Sequence, residues 1–312
     1  MIDEIINGLD RGDIRMLSKA ISLVEDGHDA SEMILNQTFK KAGSSYRIGV
    51  TGPPGAGKST IVSKLVKAFR NEGKKVGVVA VDPTSPFSGG AVLGDRIRMN
   101  ELTGDEGVFI RSMATRGSLG GLSNTAQDVA DLMTVAGFEI VVFETVGVGQ
   151  GELDVAQATD STVVVLVPES GDSIQAMKAG LMEIADIFVI NKADREGAER
   201  MKIELEMMLQ LRTDQDKWQP TILKTVAQTG EGIEDLLVSL NTHSDHLLDR
   251  GLLKSKRSRR LQDKIKLLIA LDLQENFWSK KREKYLTEKL AELMERKITP
   301  KELITNLKNI DK

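Results

Sequence analysis

RIGVTGPPGAGKSTIVSKLVKAF, residues 47–69, joins a β-branched run, a glycine-rich turn and a helical pattern. Within it, Gly52 to Thr60 reads GPPGAGKST and matches GxxxxGK[ST] in the strand-then-helix setting that the motif needs. Small residues are required there because backbone N–H groups must turn inward on phosphate oxygens, while the following helix presents its positive end to the same anion. Gly52, Pro53, Pro54, Gly55, Ala56, Gly57, Lys58, Ser59 and Thr60 are therefore expected to cradle a nucleoside triphosphate. Lys58 brings a cation to the β- and γ-phosphates, and the Ser59 hydroxyl is placed to ligate Mg²⁺.

Further short β-branched runs follow between longer helical stretches: KVGVVAVD, GVFIRS, EIVVFET, TVVVLVP, DIFVIN and TILKTV. Runs alternating with helices predict an α/β P-loop NTPase with a mostly parallel central sheet covered on both faces. Helical extensions flank it. Residues 1–43 carry Ile14, Leu17, Ile21, Val24, Met33 and Ile34 at helical spacing, broken at Gly27. Beyond Gly232 the pattern is helical again, with Leu261, Ile265 and Leu268 on one face and Leu286, Leu290 and Leu293 on a later one. The expected organisation is a helical segment over 1–43, a nucleotide-binding domain over 44–241 and a helical arm over 242–312, whose stripes pack on the core or on another subunit.

NKAD, Asn191 to Asp194, directly follows the apolar run DIFVI and so falls at the carboxyl edge of the sheet, where ligands of open α/β folds bind. A carboxylate at Asp194 accepts from N1–H and the exocyclic amine of guanine. Adenine lacks that pair of donors, so the site selects GTP and GDP. Asn191 steadies the loop, and Lys192 covers the base with its stem. A later strand leads into Val226, Ala227 and Gln228, where a backbone N–H near Ala227 meets guanine O6; an ordinary glycine turn is the alternative.

Asp82 and Glu144 end two of the strand runs, and Asp95 lies in GGAVLGDRIRM. Mg²⁺ prefers octahedral oxygen ligation with one or two protein carboxylates. Asp82 and Glu144 are expected near the metal, directly or through water, with Asp95 recruited when PTSPFSGG orders around GTP or, alternatively, capping a helix at Arg96. Lys58, Asp82 and Glu144 are the catalytic candidates. Gly147, Gly149 and Gly151 make ETVGVGQGE a switch candidate, in which Gln150 resembles a water-orienting group. Arg111 and Arg116 read as surface ion-pairing residues in preference to phosphate ligands.

The composition excludes several classes. The chain has 312 residues, no Cys and a net charge of −4, so disulfide frameworks and thiolate metal sites are ruled out and a basic nucleic-acid footprint is not expected. KSKRSRR, from Lys254 to Arg260, reads as a solvated face or a contact for an acidic partner. No apolar run reaches the roughly 20 residues of a membrane span, and the acidic start lacks a signal pattern. A cytoplasmic protein without a membrane role is expected.

GVTGPPGAGKST, VDPTSPFSGGAVLGDRIRM, RSMATRGSLGG, FETVGVGQGE and NKAD together resemble the MeaB/ArgK family of GTPases, over most of residues 46–232. The resemblance implies a homodimer held partly by the C-terminal arm, and a partner in an adenosylcobalamin-dependent acyl-CoA mutase of the methylmalonyl-CoA type. It implies GTP hydrolysis coupled to cofactor loading and to protection or reactivation of that enzyme. Residues matching Ser59, Asp82, Asp95 and Glu144 lie around the metal in that family, and PESGDSIQAMKAG with Lys178 matches a further mobile loop. VAQ at 226–228 departs from the Ser-Ala pair of many relatives. Two rivals remain: a metal-delivering GTPase, which His28, His243 and His246, read as surface residues, do not equip with ligands, and a small-molecule kinase, which would not need NKAD.

Overall fold

Residues 1–83, 102, 104–115, 124–145, 151–168, 180–210 and 218–310 are described in the computed structural model. They divide into two compact units, Met1–Lys256 and Arg257–Lys312.

The first unit is built on a seven-stranded sheet in the order β3-β2-β4-β1-β5-β6-β7. The strands are β1 Tyr46–Thr51, β2 Val76–Pro83, β3 Val108–Thr115, β4 Ile140–Thr145, β5 Ser161–Leu166, β6 Ile187–Asn191 and β7 Thr221–Thr225. Each expected run forms one of them, and every pairing is parallel. The near-continuous Val and Ile content follows from burial on both faces.

At the amino end, α1 Ile2–Asp10, α2 Ile14–Glu25 and α3 Ala30–Thr38 form the predicted helical segment. Asp13 caps α2 by accepting from Arg15 N at 2.8 Å and Met16 N at 3.3 Å. Leu17, Ile21, Val24 and Ile34 are buried as the periodicity implies, whereas Met33 is 51% exposed. Adjacent helical positions point about 100° apart, so Met33 cannot share the face of Ile34. Arg111 on β3 is paired with Glu25 of α2 and lies 3.4 Å from Ser22 Oγ, the ion-pairing role preferred from sequence.

Helix α4, Lys58–Asn71, and α8, Ile233–Asp249, cover one face of the sheet with Ile61, Leu65, Leu236 and Leu240. On the other face lie the N-terminal helices, α5 Asn124–Val135 and α6 Gly151–Ala158, contributing Leu17, Ala130, Val155 and Ala158. Helix α7, Ala198–Gln210, buries Met201 and Leu205 against β5 and β6. Adjacent strands β1 and β4 thus send their following helices to opposite faces, which opens a crevice at their carboxyl ends.

The opposite edge is polar and closed. Ser161 Oγ lies 2.5 Å from His243 Nδ1 and also bonds the Tyr46 hydroxyl. His243 Nε2 is 3.4 Å from Asp186 Oδ1, and the ring lies against Trp218 with centroids 4.7 Å apart. Asp186 Oδ2 accepts from Thr162 N at 2.8 Å, and Lys256 Nζ donates to the Asp160 carbonyl at 2.8 Å. His243 is only 1% exposed, which corrects the surface reading. Leu236, Leu240, His243 and Leu247 recur at helical spacing along the buried face of α8. With both ring nitrogens engaged inside the protein, His243 is not a metal ligand.

Burial, opposed by the charge of Asp186, lowers the His243 pKa from 6.5 to about 4. Between those values the unfolded chain binds a proton that the folded chain refuses, so stability falls as pH drops through the window, by on the order of 3 kcal/mol at its acid end. The melting temperature of the wild type is expected to fall more steeply between pH 6.5 and 4.5 than that of His243→Gln. Parallel curves would contradict a neutral buried imidazole.

Helix α9, Leu252–Phe277, leads into the second unit, followed by α10 Lys280–Met294 and α11 Pro300–Asn309. Ser279 caps α10, and Thr299 with Glu302 forms a capping box on α11 with Pro300 in its first turn. Leu303 and Leu307 are buried, and Arg282 Nε donates to the Leu307 carbonyl at 3.0 Å. Leu261, Ile265 and Leu268 are 42%, 56% and 48% exposed. Among the described residues no helix is long and apolar enough to cross a membrane.

Candidate nucleotide site

The loop after β1 is fixed by two close approaches. Gly52 has φ 137°, and a Cβ there would stand 2.1 Å from the Val165 carbonyl oxygen of β5. Gly57, at φ 89° immediately before α4, would place a Cβ 2.3 Å from Asn191 Nδ2. Only glycine satisfies both the backbone and the space at these positions. Pro54 and Gly55 are exposed while Pro53 and Ala56 are buried, so the loop presents its middle to solvent and anchors its flanks. Lys58 is 6% exposed, and its ammonium donates to the carbonyls of Gly52 at 2.8 Å and Pro53 at 2.9 Å. The cation is thereby held at the loop it is expected to serve, with Thr60 half-buried two residues along.

Ser59, beside Lys58 in the first turn of α4, donates its hydroxyl to Glu144 Oε1. Glu144 is 4% exposed in β4, opposite Val50 of β1, and Thr145 next to it bonds Thr51 at 3.2 Å. A buried hydroxyl and carboxylate meeting at the carboxyl edge are hard oxygen donors of the kind Mg²⁺ selects, so this pair fits the ion. Asp82 lies in register with Ala114 near the end of β2, which puts its backbone at the same edge. Among the described residues, no group of three or more His, Cys, Asp or Glu side chains is gathered for a metal. Asp95, Gly147, Gln150, Lys178 and Arg116 lie outside the described residues.

At the base end, Asn191 closes β6 and is 2% exposed. Its Nδ2 donates to the Ala56 carbonyl at 2.7 Å, while its Oδ1 accepts from Thr225 Oγ1 and Ala227 N, each at 3.1 Å. One carboxamide thus ties the phosphate loop, the NKAD turn and the end of β7 together. Lys192 has φ 56°, a left-handed conformation uncommon outside glycine and found where a turn is over-determined by its surroundings. Ala193 N donates to the Thr225 carbonyl at 3.0 Å, leaving Asp194 exposed to solvent. Val226 is half-buried and bridged to Glu231, Ala227 is buried and Gln228 is exposed. The Ala227 N–H is given to Asn191 Oδ1.

Reading along the chain missed Thr225, which is 1% exposed and whose significance depends on a partner in another strand. It also gave no role to Asp154 of α6. One oxygen of that carboxylate is buried without a hydrogen-bond partner, and burial raises its pKa.

The family model described as methylmalonyl Co-A mutase-associated GTPase MeaB matches residues 17–282. A Pyrococcus horikoshii protein provisionally named a GTPase is 48% identical over 272 residues, covering 86% of each chain. GTPase ArgK of Escherichia coli is 38% identical over 264 residues, covering 82% of this chain and 80% of its own length. The mitochondrial methylmalonic aciduria type A homolog of Mus musculus is 35% identical over 315 residues, covering 95% and 75%. A crystal structure described as LAO/AO transport system kinase superposes with a TM-score of 0.77 at 28% identity, covering 98% of this chain and 96% of that one. Phosphate loop, parallel sheet and relatives agree, and the chain belongs to the MeaB/ArgK family of P-loop GTPases.

Proposed function

We propose that this GTPase is a chaperone of an adenosylcobalamin-dependent acyl-CoA mutase of the methylmalonyl-CoA type, using GTP hydrolysis to time cofactor loading and to protect or reactivate the enzyme. The observation that carries the partner is the match to the mutase-associated family model across residues 17–282. The exposed stripe of Leu261, Ile265 and Leu268 supports the arm as a subunit-joining surface in a homodimer, since apolar faces of this kind are otherwise costly in water. The arm is taken to begin near residue 242.

In the proposed site, residues Gly52 to Thr60 enclose the phosphates with backbone N–H groups, and Lys58 turns from the loop carbonyls to the β- and γ-phosphate oxygens. Ser59, Glu144, Asp82 and Asp95 would hold Mg²⁺, which would supply positive charge to offset the charge that develops on the phosphate oxygens. Lys58 and the loop amides stabilise that charge during in-line attack of water on the γ-phosphate, whose products are GDP and phosphate. Asp194 reads guanine, Lys192 covers it, and the backbone of Val226, Ala227 and Gln228 borders it. Gly147, Gln150 and Lys178 belong to segments that respond to the γ-phosphate and meet the partner. None of the described arginines serves as a built-in finger, so intrinsic turnover is slow and the mutase supplies the ordering that speeds it. The reading is tested by whether the mutase accelerates GTP hydrolysis, with ATP as the control.

A further inference from the structure

We infer that Gly49 is a positioning residue for GTP hydrolysis: the notch it leaves in β1 seats helix α6, into which the chain runs from Glu144. The inference rests on the proposed catalytic role of the segment that begins at Glu144.

Gly49 lies three residues before Gly52, in register with Phe143 of β4 and Thr162 of β5. Side chains in register on parallel strands share a face, so the missing one leaves a notch between two buried neighbours. Val155 of α6 fills it. A Cβ at Gly49 would overlap Val155 Cγ1 and stand 3.0 Å from Thr159 Oγ1. The residue is ordinary strand without a positive φ, so glycine serves the close approach alone. Neither neighbour can swing aside. Valine on a helix has one strongly preferred rotamer, and the Thr159 hydroxyl is committed to the Val155 carbonyl at 2.8 Å.

Strand β1 is held on both sides by β4 and β5, and Ile48 and Val50 pack with Ile61 and Leu65 of α4 on its other face. Helix α6 has only eight residues, so a methyl group added at position 49 displaces the helix, by roughly 1 Å. Five residues separate Thr145, the last of β4, from Gly151, the first of α6. Moving α6 therefore moves one anchor of that connection, while the other stays with Glu144 and its partner Ser59. Hydrolysis depends on geometry of that order. GDP, held by the phosphate loop and the NKAD turn, does not sense the change. A purely structural role would lower the melting temperature and leave kcat unaltered.

The experiment compares wild type, Gly49→Ala, Val155→Ala, the Gly49→Ala/Val155→Ala double variant and Glu144→Gln for GTP hydrolysis and fluorescent GDP binding, with melting temperature recorded alongside. Val155→Ile, which enlarges the helix side of the same contact, replaces Gly49→Ala should that not fold. The expected result is a kcat lowered about tenfold in Gly49→Ala, with KM and GDP Kd within about twofold of wild type. In the double variant the smaller side chain makes room for the added methyl, and kcat returns to within about threefold of wild type. A wild-type kcat in Gly49→Ala, a loss that the double variant does not relieve, or a GDP Kd that rises as kcat falls overturns the inference. If Glu144→Gln also turns over like wild type, the catalytic reading of the segment fails with it; if Glu144→Gln alone is impaired, only the Gly49 inference falls.

Discussion

Lys58→Ala is expected to lower GTP turnover by roughly a thousandfold. The ammonium is 6% exposed and sits between the carbonyls of Gly52 and Pro53, so it works in a site largely shielded from water. Charge interactions in such surroundings are far stronger than at a surface, and no neighbouring described cation is placed at the same loop. Arginine is not expected to rescue activity. Its planar fork distributes charge over a wider group and does not fit a position where a compact ammonium meets two carbonyls within 3 Å. The helix that carries Lys58 is held by Ile61, Val62 and Leu65, so circular dichroism and melting temperature should change little. Turnover at the wild-type rate would remove Lys58 from the catalytic assignment.

Asp194→Asn is expected to reduce selectivity for guanine by on the order of 10⁴-fold and to favour xanthine nucleotides. A carboxylate offers two acceptors to N1–H and the 2-amino group of guanine. A carboxamide offers one acceptor and one donor, which instead suits N1–H and the 2-oxo group of xanthine. Asp194 is exposed at the end of a turn set by Lys192, by Asn191 and by the Ala193 bond to Thr225, so the substitution alters its chemistry with little disturbance to packing. Hydrolysis of XTP and GTP by wild type and variant is the readout. Unchanged GTP preference would place base recognition elsewhere.

The fold was legible because its signals are local. Seven β-branched runs became seven strands, and the glycine-lysine turn fell on central β1 as its flanking patterns require. The wiring of the site was not legible in that way. Thr225, Asn191 and Ala56 come from three separate segments, and only parallel pairing of β6 with β7 makes the first two neighbours. His243 shows a different failure. Its spacing from Leu236, Leu240 and Leu247 marked a buried face, yet residue type alone suggested a surface imidazole. Burial was decided by partners on β5 and before β6, which no window along α8 contains. Leu261, Ile265 and Leu268 were readable as an apolar stripe, because helical spacing is a local signal, whereas spacing does not name what covers such a stripe.

The most direct test of the chaperone proposal is the GTPase rate of the purified protein alone and with saturating methylmalonyl-CoA mutase from the same organism, with ATP in place of GTP as the control. The proposal predicts slow GTP hydrolysis that the mutase accelerates at least tenfold, toward the range seen when a partner completes a GTPase site, with ATP hydrolysis negligible throughout. A GTP rate that the mutase leaves unchanged would contradict the partnership.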